Sequence, residues 1–355
     1  TVTTPGTHAD FHDATLTEDG TALLISYPVT RQDLTDVGGP EDGWVRGSTV
    51  HEVDVASGKV LLTWDMLDHV PLTDTEAELD PEEDEDEDEE GDDAGGAESG
   101  TKEAPFDPFH INSVTEDDDG DLLVSARNTH AVYKIDRRDG EVEWILGGTN
   151  SDFELDDGVA FAWQHDAERQ DDGTITLFDN EAAPEIGEES RGLRLRVDTD
   201  TMTASVVTEY LPPDGRLSES QGNLEVLEDG SVFVGWGSNP FYSHYSADGE
   251  LLMDAELAGG ISYRAYLMDW VGRPTEPPKM LLADEKAYVS WNGATEVDAW
   301  RFVAGDDEES AVEVATVPAD GFEVSAEMPD EAYVAVQALD TSGKVLGTAE
   351  PGAWP

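Results

Sequence analysis

Cysteine is absent from this 355-residue chain, which excludes disulfides, a thiolate nucleophile and cysteine-based metal sites. That absence does not place the protein inside a cell, because a cysteine-free fold can also be secreted. Cations are scarce: six Lys and 13 Arg stand against 82 acidic residues, a formal net charge of −63. A surface of this sign repels nucleic acid and anionic membranes, so neither is an expected partner. No apolar run approaches the ~18 residues that a bilayer span needs. The opening Thr1-Val2-Thr3-Thr4 lacks the Met and apolar core of a signal peptide, so a mature product or a fragment is expected. A Gly-rich loop ending in Lys-Ser/Thr, the cradle for a nucleotide phosphate, is also missing.

The acidity is global. Glu82 to Glu90 is a run of nine carboxylates, and 15 acids lie between Glu76 and Glu98. Without that stretch 67 acids still face 19 bases. Low hydrophobicity with high charge is the mark of a disordered chain, but nine Trp and regular apolar strands oppose that reading. The alternative is the surface of a protein from a high-salt organism, where carboxylates hold water and solvent cations and salt screens their repulsion.

What is present is a repeat. Asp19-Gly20, Asp119-Gly120, Asp172-Gly173 and Asp229-Gly230 each precede a short strand rich in β-formers, from Thr21, Asp121, Thr174 and Ser231 respectively. A strand, Gly turn and strand follow, as in Val50 to Trp64 and Val132 to Trp144; less regular copies run from Leu193 to Glu209 and Ser243 to Leu257. Four strands per unit of roughly 40–55 residues predict an all-β fold, a β-propeller, over residues 1–283. About four blades are visible, with a fragmentary fifth around Ile261 to Ala283. An acidic insertion at about 73–101 reads as a disordered loop. After the Pro-rich break Pro274 to Pro278, short alternating strands over 284–355 predict a small fibronectin type III-like β-sandwich.

Three of the eight His sit at matching places in the repeat: His12-Asp13, His110-Ile111-Asn112-Ser113 and Gln164-His165-Asp166. Each precedes its Asp-Gly turn by six to nine residues, on the strand expected to be innermost. Equivalent innermost positions converge, so three imidazoles are expected to face one funnel. The fourth unit carries Gln221-Gly222-Asn223 there instead. Polar residues also line water-filled propeller channels, which is the bland alternative. Arg127 closes the strand Leu122 to Ala126; its fork of donors suits an anionic, tetrahedral group, whereas a surface ion pair is its ordinary role.

These segments carry a resemblance. Asp107-Pro108-Phe109-His110-Ile111-Asn112-Ser113, Asp121 to Asn128 and Val132 to Asp136 resemble the arylsulfotransferases. So do Phe161-Ala162-Trp163-Gln164-His165-Asp166 with Leu177-Phe178-Asp179-Asn180, and Glu143 to Gly148 ahead of Ser151-Asp152-Phe153. The weaker repeats extend the likeness from His12 to about Tyr266. The resemblance implies a six-bladed propeller that moves a sulfuryl group from an aryl sulfate to a phenol with no nucleotide donor, no metal and no cofactor. It implies that His165 is the transiently sulfated nucleophile, that His12, His110 and Arg127 surround the sulfuryl group, and that Asn112, Asn128 and Arg264 contact substrate. The bacterial members have an N-terminal sandwich and a disulfide, whereas here the sandwich is C-terminal and Cys is lacking; the likeness is to a divergent archaeal and fungal branch. An extracellular or cell-surface location is expected.

Two other readings stay open. One is a non-catalytic surface or adhesion propeller of a halophile. The other is a metal-dependent lactonase-type propeller using Asn112 and Asn180, or three His around zinc.

Overall fold

The computed structural model describes residues 2–79 and 99–349. The centre of the acidic insertion therefore lies outside the described residues. Contacts divide the chain into two units, Thr1–Leu267 and Met268–Pro355. The described residues are all-β, with several antiparallel sheets and only short 3-10 turns for helix among them.

In the first unit, strands Ala14–Leu16, Thr21–Ser26, Thr49–Asp54 and Val60–Asp65 form one four-stranded antiparallel sheet. Ile111–Glu116, Leu122–Ala126, Ala131–Ile135 and Val142–Gly147 form the second. The third holds His165–Arg169, Ile175–Asp179, Arg191–Asp198 and Thr203–Tyr210, with Glu154–Leu155 added in parallel at its edge. The fourth holds Asn223–Val226, Val232–Gly235, Phe241–Tyr245 and Leu251–Glu256. The described residues of this unit thus build four such sheets, and the six-blade count implied by the resemblance is not reached by them.

The Asp-Gly pairs do the work expected of them. Each glycine joins the first strand of its sheet to the second at positive φ, from 79° to 88°. The same two backbone bonds close each turn, for instance Gly120 N–H to Asp117 O and Asp117 N–H to Asp121 O. A side chain at such φ is strained, which is why glycine stands there.

The second strand of each of these four sheets is buried along its whole length. It has a neighbouring sheet or loop on both faces, so alternate residues enter different cores. Leu122 and Val124 pack with Leu23, Ile25 and Trp64 of the first sheet, while Leu123 packs with Ile175, Leu177 and Leu195 of the third. Phe178 and Tyr210 meet Leu224, Val234 and Trp236 between the third and fourth. Each such buried side chain contributes about 1.5–3 kcal/mol. Some of the scarce cations link the sheets: Arg137 joins Glu52 of the first sheet to Glu116 of the second, and Arg169 joins the third sheet to Asp117.

The first strands of neighbouring sheets touch one another around a shared centre. A side-chain acceptor on each holds a backbone N–H of the next. Asp13 accepts from Val114, Ser113 from Ala167, Asp166 from Leu224 and Asn223 from Ala265. Arg264 then reaches Asp13, 2.9 Å away, and closes the circuit. The expected fifth fragment divides accordingly. Its residues 263–265 belong to this circuit, whereas Lys279–Ala283 pairs with Lys286–Ser290 of the second unit. The boundary therefore falls before 268, ahead of the expected 283/284.

The second unit has a three-stranded sheet, in the order Lys279–Ala283, Lys286–Ser290, Glu323–Glu327, and a four-stranded one, in the order Val312–Pro318, Ala299–Gly305, Tyr333–Leu339, Val345–Ala349. Trp300, Phe302, Val289 and Val336 are buried between them.

Candidate active site

The inner-strand circuit also fixes which side chains meet at the centre. Paired acceptors put Asp13, Ser113, Asp166 and Asn223 in equivalent positions, so the residues just before them are His12, Asn112, His165 and Gly222. His110 stands two residues ahead of Asn112, with φ 50°, so it is not the exact counterpart of the other two. That left-handed turn nevertheless swings its ring onto His12. The Nε2 atoms of His12 and His110 lie 3.2 Å apart. Asp10 accepts from His12 Nδ1, and Asp107 from His110 Nδ1 at 2.8 Å. Burial would raise both carboxyls, but the histidines beside them hold each below the usual carboxylate range. With both Nδ1 positions donating to carboxylates, a hydrogen bond between the two Nε2 atoms needs one proton shared between them.

His165 is buried, and its tautomer follows from its partners. Nδ1 faces two acceptors, Asn180 Oδ1 at 2.8 Å and the Trp163 carbonyl at 3.1 Å. Asn180 is oriented in turn, since its amide nitrogen donates to the carbonyls of Ser218 and Gln221. The proton is therefore on Nδ1, and Nε2 carries a lone pair that accepts the Gln221 N–H at 3.1 Å. Burial first, and then the charge of Arg127, push its pKa well below 6.5. The imidazole is neutral near pH 7, the state a nitrogen nucleophile requires.

Tyr263 links the two histidine groups, with ring centroids 5.7 Å from His12 and 6.3 Å from His165. Its Oη is buried without a hydrogen-bond partner. Tyr27 and Phe11 complete an aromatic wall against His12. Arg127 stacks over Trp163 at 4.8 Å and donates to the carbonyls of Ala183 and Glu219, each at 3.2 Å.

The structure brings together His12, His110 and His165 around Tyr263, and the Arg127 guanidinium is near enough to disfavour protonation of His165. Asn128 is tied to Arg127 Nη1 at 3.1 Å and to the Asp107 carbonyl at 2.8 Å, a place that orients the arginine. Asn112 donates to the Gln164 carbonyl, and its Oδ1 is buried with no hydrogen-bond partner. Arg264 pairs with Asp13 and Asp166. Asp10, Asp107 and Tyr263 were not singled out from the sequence, although Asp10-Phe11-His12 and Asp107-Pro108-Phe109-His110 place an acid within reach of each ring. Among the described residues, the acids close enough to share a metal are Asp119, Asp121 and Glu143, and the Lys134 ammonium already pairs with Asp119 and lies 3.6 Å from Glu143.

Behind the imidazoles lies a second titrating group. Burial raises Asp166 to about 6, with Arg264 opposing and Asp13 adding; burial and then the charge of Asp166 raise Glu168 to about 8. Folded protein therefore keeps protons that the unfolded carboxyls release, so stability falls as pH rises from the ordinary carboxyl range, near 4.5, to about 8. Each pKa unit corresponds to about 1.4 kcal/mol. In Glu168→Gln the decline of the melting midpoint over this range, at fixed salt, is expected to be shallower than in the wild type; parallel slopes would contradict the assignment.

Compared with known proteins, residues 1–258 match the family model described as Arylsulfotransferase (ASST). No curated protein matches the chain. Among solved structures, a protein of unknown function from Bacteroides caccae is similar at 14% identity, covering 85% of this chain and 90% of its own, with a TM-score of 0.35. Virginiamycin B lyase from Staphylococcus aureus is similar at 9% identity, covering 96% and 84%, also at 0.35. Hydrazine synthase of Kuenenia stuttgartiensis is similar at 10% identity, covering 96% and 68%, at 0.36. Likeness at this level carries no argument about function.

Proposed function

The chain belongs to the arylsulfotransferase family, and on that premise we propose that it moves a sulfuryl group from an aryl sulfate to a phenol through a sulfo-histidine at His165. The observation that carries this reading is geometric: His165, its Nδ1 facing Asn180 Oδ1 and its Nε2 accepting only a backbone N–H, shares a centre with His12 and His110, whose Nε2 atoms lie 3.2 Å apart. The four sheets are then blades of a propeller whose inner strands present these groups. The three-plus-four strand order of the second unit supports a fibronectin type III-like module.

Substrate first displaces the Gln221 N–H from His165 Nε2. The Nε2 lone pair attacks sulfur, the N–S bond forms, and the S–O bond breaks with its electron pair leaving on the aryl oxygen. The proton between His12 and His110 passes to that phenolate. In the second half the emptied pair takes the proton of the acceptor phenol, whose oxygen attacks sulfur, and the N–S electron pair returns to Nε2. Sulfation makes the His165 ring cationic, and Asn180 Oδ1 with the Trp163 carbonyl already accept its Nδ1–H. Like phosphoryl transfer, the step spreads charge over equatorial oxygens, so a fixed guanidinium such as Arg127 stabilises it. The aromatic wall of Phe11, Tyr27 and Tyr263 suits a flat aryl ring.

The test is incubation at high salt with an aryl sulfate and a phenol, followed by mass analysis of the quenched chain. One sulfuryl group on His165 and ping-pong kinetics are expected; an inactive, folded chain overturns the reading. A pH profile adds a second check. Because the nucleophile's pKa is depressed, its protonation stops the reaction only below 6.5, and kcat/KM should hold its plateau down through that value. An acid limb centred at or above 6.5 that persists in His12→Gln and His110→Gln variants contradicts the assignment. The acidic surface supports a high-salt, extracellular or cell-surface setting.

A further inference from the structure

The inner-strand circuit departs from its own rule at one place. Asp13, Ser113, Asp166 and Asn223 are short acceptors, but the next equivalent position is Arg264, which lies beyond the residues the family model matches. Its guanidinium meets residues from each of the first three inner-strand positions. Nη1 is 2.9 Å from Asp13 Oδ1, Nε is 3.0 Å from Asp166 Oδ1, and Nη2 donates to the Asn112 carbonyl at 3.3 Å. These contacts are largely shielded: the side chains of Arg264, Asp13 and Asp166 are 15%, 5% and 3% exposed.

The chemistry of these three partners matters less than their neighbours in sequence. Asp13 follows His12, Asp166 follows His165, and Asn112 lies two residues after His110. Asp166 itself stands in a left-handed turn with φ 59°, inside an irregular stretch of pairing between His165 and Glu168. Holding the two aspartates therefore fixes the backbone from which the neighbouring imidazoles project. We propose, resting on the sulfuryl-transfer reading, that Arg264 is a positioning residue: one guanidinium fixes the spacing of the strands that deliver the nucleophile and the proton-sharing pair, without touching substrate. The planar fork suits this task, because it holds several acceptors in one fixed geometry, whereas a lysine ammonium is a point charge on a flexible stem. The surrounding acids explain why the cation stays in place. Asp13, Asp166, Glu168 and Glu225 all bear on this corner, and Arg264 is a cation that opposes the upward push of burial on Asp166 and Glu168.

The experiment compares wild type, Arg264→Ala and Arg264→Lys in the aryl sulfate assay. Misplacing reacting groups by about 1 Å costs on the order of 10²-fold in rate. Arg264→Ala is expected to lose about that much kcat with KM for the aryl sulfate changed less than about threefold, which separates positioning from ground-state binding. Arg264→Lys should recover only a minor part. Millimolar methylguanidinium should restore activity to Arg264→Ala, while sodium chloride at equal strength should not. A raised KM with kcat intact would make Arg264 a substrate contact and overturn the proposal, as would an unchanged kcat. Should Arg264→Ala fail to fold, Asp13→Asn, which keeps an acceptor for the Val114 amide while weakening the clamp, is read by the same kcat and KM criteria. An inactive wild type removes the sulfuryl-transfer reading and this inference with it; an active wild type with a fully active Arg264→Ala removes this inference alone.

Discussion

Replacing His165 with Ala is expected to lower kcat/KM for sulfuryl transfer by at least about 10³-fold, since it removes the atom that forms the covalent intermediate. Unlike most deletions of a buried side chain, this one should leave the fold standing. The ring's partners are Asn180, the Trp163 carbonyl and the Gln221 amide, and water admitted to the space can meet all three. The variant should show no sulfuryl adduct on the quenched chain, while retaining the melting midpoint to within a few degrees. Asn180→Ala makes a sharper control. It keeps the nucleophile but frees Nδ1 to lose its proton to Nε2, where the lone pair is needed, so a smaller loss, on the order of 10²-fold, is expected. If His165→Ala retained transfer, the histidine would be a wall of the cavity and not the reacting group.

The second large effect concerns Arg127. Its guanidinium is held from three sides, by the Trp163 face, the Asn128 amide oxygen and the carbonyls of Ala183 and Glu219. Donors fixed before the reaction stabilise developing charge without reorganising, and removing one such group costs about 10²–10³-fold in kcat. Arg127→Met is expected to fall in that range. Arg127→Lys should recover little, because an ammonium cannot span the same carbonyls while facing a sulfuryl oxygen. The same substitution should raise the pKa of His165, as a cation that disfavours its protonation is lost. The acid limb of kcat/KM would then move up in pH. A drop in rate with no movement of that limb would place Arg127 away from the nucleophile.

Much of the architecture was legible from the chain alone. The Asp-Gly turns marked the first hairpin of each sheet because only glycine adopts their φ cheaply, and the four strands that follow them are the strands the structure contains. The runs after them, such as Leu122-Leu123-Val124, read as short strands rich in β-formers, and their burial along the whole length came only with the structure. The meeting of His12 with His110 was also expected, but the reason offered for it was incomplete. His12 and His165 are true counterparts, while His110 arrives from two residues earlier through a left-handed turn. A repeat count along the sequence cannot distinguish these, because a bulge shifts register without changing composition. The split of the Ile261 to Ala283 fragment was hidden for a similar reason. Lys279–Ala283 pairs with its neighbour in sequence, and which unit a strand joins depends on the sheet it completes.

By itself, the sequence determined the turn positions, the all-β class, the absence of thiol chemistry and the strong negative charge, since each follows from local backbone preference or simple counting. Tertiary structure alone decided the proton states and the division of labour. The Nδ1 tautomer of His165 depends on Asn180, 15 residues away, and the place of Arg264 depends on Asp13, 251 residues away. Hydrogen bonds and ion pairs act over about 3 Å of space, and separation along the chain carries no record of that distance until the sheets have packed.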